Sequence, residues 1–371
     1  MKILHTVQRY APDTGGSEEV VKQLSEYLVS FGHDVTVATG ASPRRTFDRL
    51  NGVKIVEFDC AGNAVEGFRG EVNAFREFIR STDADVMMNY AAQIWSSDLV
   101  FDLLPSLVAK KVFVPCGYSR LHDPLFAGYF SAMPDVLRRY DKVIYLSDNY
   151  VDTAFGAHHG LRNGITIPNG ADLREFSTVR RGAFRSQFNI GDKPLIINVS
   201  NHSSLKGHAF FWNCIAQLDD LHAASVLIGN PYVGFPKKWF TECYAQCRLR
   251  SLRKNALLLE GLPRSSVVSA YVDADVFLFG SRVECSPLVM FEAFAGKTLF
   301  VTTDCGNVKD YKDIVCIVGT EEEAVSVIRE FFQYPDRYAD RLAKGFTLFQ
   351  QETNWYSIAR RYENLYLDLT R

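Results

Sequence analysis

Residues 2–39 read KILHTVQRYAPDTGGSEEVVKQLSEYLVSFGHDVTVAT. Lys2–Val7 is a short apolar run of strand length, and Arg9–Gly16 is a polar loop holding Pro12 and two glycines. From Ser17 to Phe31, apolar side chains recur at Val20, Val21, Leu24, Tyr27, Leu28 and Phe31, the three-and-four spacing of an amphipathic helix. Ser17 is placed to cap that helix, with Glu18 and Glu19 complementing its dipole. Gly32 stops the helix, and Asp34–Thr39 is a second strand. Strand, loop, helix and strand make a βαβ unit, and such a unit begins a parallel sheet.

The alternation continues outward. Val53–Phe58, Val86–Asn89, Val112–Pro115, Val143–Ser147 and Ile165–Ile167 read as strands, and Val72–Ile79 as a helix. Pro168-Asn169-Gly170 is a turn cluster, after which residues 172–193 become polar and basic, with Arg174, Arg180, Arg181 and Arg185. A domain joint is expected there. A second series follows, with strands at Pro194–Val199, Ser225–Ile228, Ala256–Leu259, Val276–Phe279 and Leu299–Thr303. Its helices are expected at His208–Leu218, Pro236–Arg250, Arg264–Val272, Pro287–Phe294 and Glu321–Gln333, and an aromatic-rich helix at Trp355–Leu369 closes the sequence. The expected class is α/β, with domains over residues 1–172 and 173–354 and a terminal helix in 355–371.

Composition narrows the function. Apolar residues make up 47% and charged residues 23%, as in ordinary globular proteins. A net charge of −2 lacks the basic balance of a nucleic-acid binder. Met1-Lys2 leads into ILHTV without a secretory pattern, and no run approaches the ~18 apolar residues of a membrane span. The eight cysteines form no CxxC pair, so reduced thiols in the cytoplasm are expected, with Arg138-Arg139 available for at most weak contact with the inner face of a membrane. Cys243 and Cys247 share one helix face in CYAQC and read as packing residues, since no His or Cys pair nearby in sequence has zinc-site spacing. Arg44-Arg45 reads as a solvated loop, and His158-His159 as a Gly-flanked surface loop.

Three motifs can carry chemistry. Gly15-Gly16-Ser17, between a strand and a helix, lets backbone approach a ligand and offers free N–H groups to an anion. The segment Glu284-Cys-Ser-Pro-Leu-Val-Met-Phe-Glu292 follows the strand-like VFLFGS. There Ser286 can cap a helix with Pro287 at its first position, and the N–H groups of Leu288 and Val289 face outward as a diphosphate site. Glu284 sits in the loop before that site and Glu292 about a turn beyond it, both suited to binding hydroxyls. Lys206, in SSLKGH directly after LIINVS, lies on the carboxyl side of a parallel strand, where its charge can neutralise a leaving diphosphate. Asp83-Ala-Asp85 and Asp273-Ala-Asp275 match a DxD metal pattern, but each precedes an apolar run and reads as a helix-to-strand corner.

Together these pieces resemble the retaining glycosyltransferases of the GT-B fold, family four, also described as glycosyl transferases group 1. The likeness runs nearly the whole chain. APDTGGSEEVVKQLSEYLVSFGHDVTVAT is similar to that family's Gly-Gly loop and first helix, and VIYLSDNYVD to its last amino-domain strand. IPNGADLREF resembles its interdomain segment, LKGH its lysine loop, and Glu284 with Glu292 its E-x7-E motif. DADVFLFGSRVECSPLVMFEAFAGK is the most specific stretch, and NWYSIARRYENLYLDL resembles the terminal helix that crosses back to the first domain. The resemblance implies two Rossmann-like domains facing across a cleft, the first on the acceptor side and the second holding a nucleotide sugar. UDP-sugars of the glucose type are favoured. Lys206 would bind the diphosphate, Glu284 the donor sugar, Glu292 the ribose, and the Ser286–Val289 backbone the phosphate and sugar. Gly15 and Gly16 would face the diphosphate and acceptor, and Gly261-Leu262 the base. Lys206 and Glu284 would be catalytic. Transfer to a saccharide, lipid-linked saccharide or small acceptor would proceed with retention, without a metal or other cofactor.

Two positions depart from the family. An arginine five residues before the lysine is usual there, and this chain has Asn201, which adds no charge; Arg282 is a candidate to compensate. A histidine is also common after an amino-domain strand, where KVFVPCGYSRLH places Cys116, with His122 as the nearest histidine on the acceptor side. These departures keep two other readings open: a non-catalytic nucleotide-sugar-binding protein with a degenerate site, and a different GT-B enzyme such as a sugar phosphorylase or epimerase.

Overall fold

The computed structural model describes residues 1–230, 237–254 and 256–371. The chain divides into two compact units, one formed by Met1–Asn169 with Trp355–Arg371 and the other by Gly170–Asn354.

In the first unit the strands are β1 (Lys2–Thr6), β2 (Asp34–Gly40), β3 (Arg49–Leu50), β4 (Val53–Phe58), β5 (Cys60–Asn63), β6 (Gly67–Gly70), β7 (Val86–Tyr90), β8 (Lys110–Val114), β9 (Lys142–Tyr145) and β10 (Gly164–Thr166). Eight of them form one sheet in the order β10-β9-β8-β7-β1-β2-β4-β3, parallel except where β3 meets β4; β5 and β6 pair as a separate hairpin. The second unit contributes β11 (Leu195–Val199), β12 (Ala224–Gly229), β13 (Leu257–Glu260), β14 (Val276–Phe279), β15 (Leu299–Thr303) and β16 (Cys316–Val318). Its sheet runs β13-β12-β11-β14-β15-β16, all parallel. Both units are therefore α/β with doubly wound topology. In each, strand order reverses beside the first strand, between β1 and β7 and between β11 and β14. Loops leaving the carboxyl ends of strands at such a reversal part to opposite faces and open a crevice.

The core explains the pattern read from sequence. The central strands are buried on both faces, as in the all-buried VMMNY of β7 and VFLF of β14, and a strand covered on both sides reads as a continuous apolar run. In the second unit the rings of Tyr271, Phe277 and Phe300 stack through the core, with centroids 5.5 and 5.2 Å apart. The closing helix, Trp355–Thr370, belongs to the first unit and packs on the helix Gly16–Ser30. Tyr356 meets Tyr27 and Phe31 edge-on, Arg360 lies 3.7 Å over the Phe31 ring, and His33 Nε2 sits 2.8 Å from Glu363 Oε1.

Several local expectations are corrected. The first helix is capped by Gly15 and not by Ser17: the Gly15 carbonyl accepts from Glu19 N–H at 3.0 Å, so the helix begins at Gly16. Helix Leu288–Gly296 likewise starts after Pro287, and Ser286 instead accepts a hydrogen bond from Asn307 Nδ2 at 3.1 Å. Arg45 is buried, not solvated. Its guanidinium bonds the carbonyls of Ala11 at 2.6 Å, Tyr10 at 2.9 Å and Gly40 at 3.1 Å and pairs with Glu57, a task that needs the multiple fixed donors of arginine. His158 ends a helix, Val151–His158, and His159 packs on Phe155. The helix expected from Pro236 is described as Lys237–Lys254, with Pro236 itself outside the described residues. Ala127–Arg138, to which the sequence pattern assigns no element, is helical although Pro134 sits inside it.

The core also sets a pH dependence. His5, fully buried in β1, bonds Ser25 Oγ at 2.9 Å, and burial holds its pKa near 3, against an ordinary value of 6.5. Between those values the unfolded chain takes up a proton that the folded chain refuses, so this contribution to stability is complete above pH 6.5 and falls as the pH drops toward 3. Asp98 acts in the opposite sense. Burial raises its pKa from 3.8 to about 6, so the folded chain gains stability as acid protonates it within that range. The two slopes, each up to about 1.4 kcal/mol per pH unit, oppose each other between roughly pH 4 and 6. Urea titrations are expected to show stability rising on acidification through that window in His5→Gln relative to the unaltered chain. Asp98→Asn should shift it the other way.

Candidate active site

In the second unit the two loops at the strand reversal meet. The loop after β11 carries Asn201, half-buried, and tightens into a 3-10 turn at Ser204–Lys206, capped by Ser203 Oγ. The loop after β14 carries Glu284. Lys206 Nζ donates to Glu284 Oε1 at 2.7 Å, and Ser281 Oγ donates to the same oxygen at 2.8 Å. The Lys206 side chain is 31% exposed and that of Glu284 13%, so the pair is accessible but held.

Two glycines make this approach possible. Gly207 has φ +66°, and a Cβ there would overlap the carbonyl of Gly280, the residue after β14. Gly306 has φ +58°, and a Cβ would come within 2.8 Å of the Cys285 carbonyl and 3.1 Å of Glu284 Cβ. The Glu284 loop is thus gripped from both sides by backbone without side chains. Arg282 N–H donates to the Leu205 carbonyl at 2.8 Å, which joins the two loops directly, and the Arg282 side chain is exposed. Behind Glu284, burial and then the Glu284 charge push the Cys305 thiol up to about 12, so that sulfur stays protonated and inert.

Helix Leu288–Gly296 follows this loop. The first-turn amides of Leu288 and Val289 have no acceptor within the helix, and both residues are half-buried. Glu292 is buried within the helix and pairs with Arg264 Nη2 at 2.6 Å. Arg264 also binds Glu175, at 2.7 Å, and opens the helix Arg264–Asp273, two residues after Leu262 in the short loop that follows β13. Lys206 with Glu284, and Glu292 with Arg264, are therefore two separate ion pairs. The pattern gave no sign of Arg264, Gly306 or Asn307; the CGN turn after β15 was the signal available for the last two.

In the first unit Gly15 and Gly16 sit at the carboxyl side of β1. The Glu18 carboxylate folds back over Gly15, where any Cβ would collide with it, and is held by Arg9 at 2.7 Å. Gly16 faces open space. Cys116 follows β8 in a left-handed conformation, φ +57°, with its sulfur 3.6 Å from Tyr90 Oη. Asp152 fixes the same turn by accepting from Gly117 N–H at 3.0 Å, and burial raises its pKa. Ala91 and Gln93, after β7, also have positive φ, at 72° and 64°. Three non-glycine residues in this sparsely populated region, at neighbouring strand ends, mark a strained crevice that sequence pattern does not reveal. His122 lies on an exposed turn.

The DxD pairs serve the fold. Asp273 is buried and accepts from the backbone amides of Gly182, Phe184 and Arg185, while Asp275 pairs with Arg185 at 2.8 Å. Asp83 pairs with Lys2 and Asp85 accepts from Lys2 N–H at 2.7 Å, which ties the start of β7 to β1. Among the described residues, no helix is long and apolar enough to cross a membrane.

Residues 14–175 match the family described as Glycosyltransferase Family 4, and residues 180–340 match Glycosyl transferases group 1. No curated protein gives a significant match. Among solved structures, the fold is similar to sucrose-phosphate synthase (tll1590) from Thermosynechococcus elongatus, with a TM-score of 0.83 and 16% identity over 99% of this chain and 98% of that one. Anabaena Alr3699/HepE, solved with UDP-glucose, gives 0.78 and 15% over 99% and 100%. An α,α-trehalose-phosphate synthase (UDP-forming) from Burkholderia xenovorans, solved with glucose-6-phosphate, gives 0.75 and 10% over 98% and 99%. Two domain matches that together run from residue 14 to residue 340, on two doubly wound units of this topology, make the chain an enzyme, a glycosyltransferase of the GT-B type.

Proposed function

We propose that the chain is a retaining hexosyltransferase of family four that moves a glucose-type sugar from a UDP-sugar to a saccharide, a lipid-linked saccharide or a small acceptor, on the cytoplasmic side of the membrane. The observation that carries this reading is the contact of Lys206 with Glu284 at 2.7 Å, in the loops at the strand reversal, just before the amino end of helix Leu288–Gly296. A sugar nucleotide asks for a cation and free amides at its diphosphate and for a carboxylate at its sugar hydroxyls. Lys206, the Leu288 and Val289 amides and Glu284 supply them. The complex of Alr3699/HepE with UDP-glucose and the UDP-forming trehalose-phosphate synthase support UDP and glucose in particular.

In this reading Lys206 turns from Glu284 toward the diphosphate and stabilises the charge that grows as the glycosidic bond breaks. Glu284, released, accepts from the donor-sugar hydroxyls. Glu292 takes the ribose and is held in place by Arg264. Asn201 adds no second cation, and Arg282, exposed on the adjoining loop, is the candidate to compensate. Gly15 and Gly16 take part in donor binding, and Cys116 and His122 belong to the acceptor and sugar side. The reaction needs no catalytic metal, because Lys206 and the helix end carry the leaving-group charge.

A thermal-shift screen with UDP, GDP, ADP and their glucose conjugates tests this. UDP at about a hundredfold excess over its dissociation constant should add roughly 2.7 kcal/mol. Glu292→Ala should abolish most of that gain. Product from UDP-glucose with an unchanged anomeric configuration completes the case. A UDP shift with intact donor after long incubation with varied acceptors would favour the non-catalytic binding protein that Asn201 and Cys116 suggest. No shift with any nucleotide would defeat both readings.

A further inference from the structure

The loop that carries Lys206 also carries His202, and His208 opens the helix that follows it, His208–Ala216; neither has a part in sugar transfer as described above. Both are buried. Facing them, one turn apart on helix Lys237–Lys254, are Cys243 and Cys247. One donor atom from each of these four side chains lies within 4.8 Å of the other three. His208 Nδ1 is 3.2 Å from Cys243 Sγ and 3.4 Å from Cys247 Sγ, and His202 Nδ1 is 3.9 Å from Cys243 Sγ. Zinc bonds of about 2.3 Å to sulfur and 2.0–2.1 Å to nitrogen, set at tetrahedral angles, separate nitrogen from sulfur by about 3.6 Å. The observed distances bracket that value.

The surrounding groups orient the imidazoles. Asn198 Nδ2 donates to the Leu278 carbonyl at 2.8 Å, which leaves Asn198 Oδ1 to accept from Ser200 Oγ at 2.7 Å. With its one proton so used, Ser200 Oγ accepts from His208 Nε2 at 2.8 Å. His208 Nδ1 therefore presents a lone pair to the two thiols. On the other ring, His202 Nε2 lies 3.3 Å from Glu260 Oε1 at the end of β13. Gly229, at the end of β12, leaves room for that ring, since a Cβ there would come within 3.0 Å of His202 Nε2. A hydrogen-bonded oxygen behind the outer nitrogen of His208 and a carboxylate near that of His202 are the kind of support that a metal-bound histidine uses.

We propose that His202, His208, Cys243 and Cys247 form a structural site for one zinc ion, separate from the transfer chemistry. Four soft and borderline donors fill a tetrahedron and leave no position for substrate. Binding releases the two thiol protons, and two thiolates with one divalent ion and two neutral imidazoles sum to zero charge, as burial requires. The ligand spacings, HX5H and CX3C, are ordinary for zinc. They escaped the sequence pattern because the pairs stand 35 residues apart, from His208 to Cys243, and only the fold joins them. The consequence is mechanical: His202 and His208 bracket Lys206, so the ion would pin both ends of its loop to the helix.

The site does not depend on the sugar-nucleotide reading and is tested without substrate. The full chain, without a histidine tag and purified without chelator, should contain about one zinc per molecule by elemental analysis. After removal of zinc, cobalt(II) should give the intense visible bands of a tetrahedral site with thiolate charge transfer, and added zinc should erase them. Cys243→Ser with Cys247→Ser should abolish both signals. Should that variant fail to fold, the cobalt titration of the unaltered chain decides alone. Zinc far below one per chain together with no tetrahedral cobalt spectrum would overturn the proposal and leave a thiol–imidazole hydrogen-bond cluster.

Discussion

Lys206→Ala is expected to lower kcat by about 10²–10³-fold, as loss of one preorganised electrostatic group at a developing anion does elsewhere. The melting temperature should move by only a few degrees. The reasons lie in the same contact. In the resting chain the Lys206 charge is spent on Glu284 at 2.7 Å, and a partly exposed pair of this kind contributes about 1 kcal/mol or less to stability. During transfer no second cation stands at position 201, because Asn201 is neutral. The leaving diphosphate therefore leans on Lys206 more heavily than it would with an arginine there. Lys206→Arg keeps the charge and should lose less. Steady-state kinetics with circular dichroism on the same samples separates the effects. A loss under tenfold in kcat would mean that the charge is met elsewhere, with Arg282 the first place to look.

Asp273→Ala should be the most damaging single change to stability, at about 4 kcal/mol. The Asp273 carboxylate is buried and gathers three backbone amides, those of Gly182, Phe184 and Arg185. Hydrogen bonds to a charged acceptor are each worth about 1.5–3 kcal/mol, and here removal of one side chain orphans three donors at once. Asp275→Ala should cost clearly less, because the Asp275 side chain is 31% exposed and water can replace part of what it gives to Arg185. Calorimetry on the full chain is the measurement. With two units present, the Gly170–Asn354 transition should fall while that of the other unit holds. Equal losses in the two variants would show that the amides find other partners.

Much of the fold was legible because parallel strands buried on both faces announce themselves as apolar runs, and helices between them by their period. VMMNY, VFLF and the Gly16–Ser30 helix are of this kind. Where local chemistry was read too literally, it failed by one or two residues. Ser17 and Ser286 are good caps in isolation, but Gly15 and Pro287, both in extended backbone, hold the cap positions. Of the candidate site, Lys206 and Glu284 were legible from their loops, each following a recognisable strand. The partners that hold the site were not. Arg264 reaches Glu292 from the start of another helix, Gly207 matters only because Gly280 lies against it, and the positive φ of Ala91, Gln93 and Cys116 has no composition signal. Contacts between segments distant in sequence follow from strand order, and strand order was not written in any local pattern.

The place of helix Trp355–Thr370 bears on how the chain is made. Ala171 N–H donates to the Thr353 carbonyl at 3.0 Å, and Ala171 pairs with Asn354 as a parallel bridge, so both ends of the second unit leave it side by side. That is the geometry of one domain inserted into another. On the ribosome the inserted unit emerges whole and can close its sheet as soon as Asn354 clears the exit. In the unit begun first the flank of helix Gly16–Ser30 stays bare until the segment beyond residue 354 arrives to cover Tyr27 and Phe31. The unit begun first is thus completed last, and the surface left uncovered longest in the nascent chain is the one that its earliest helix presents.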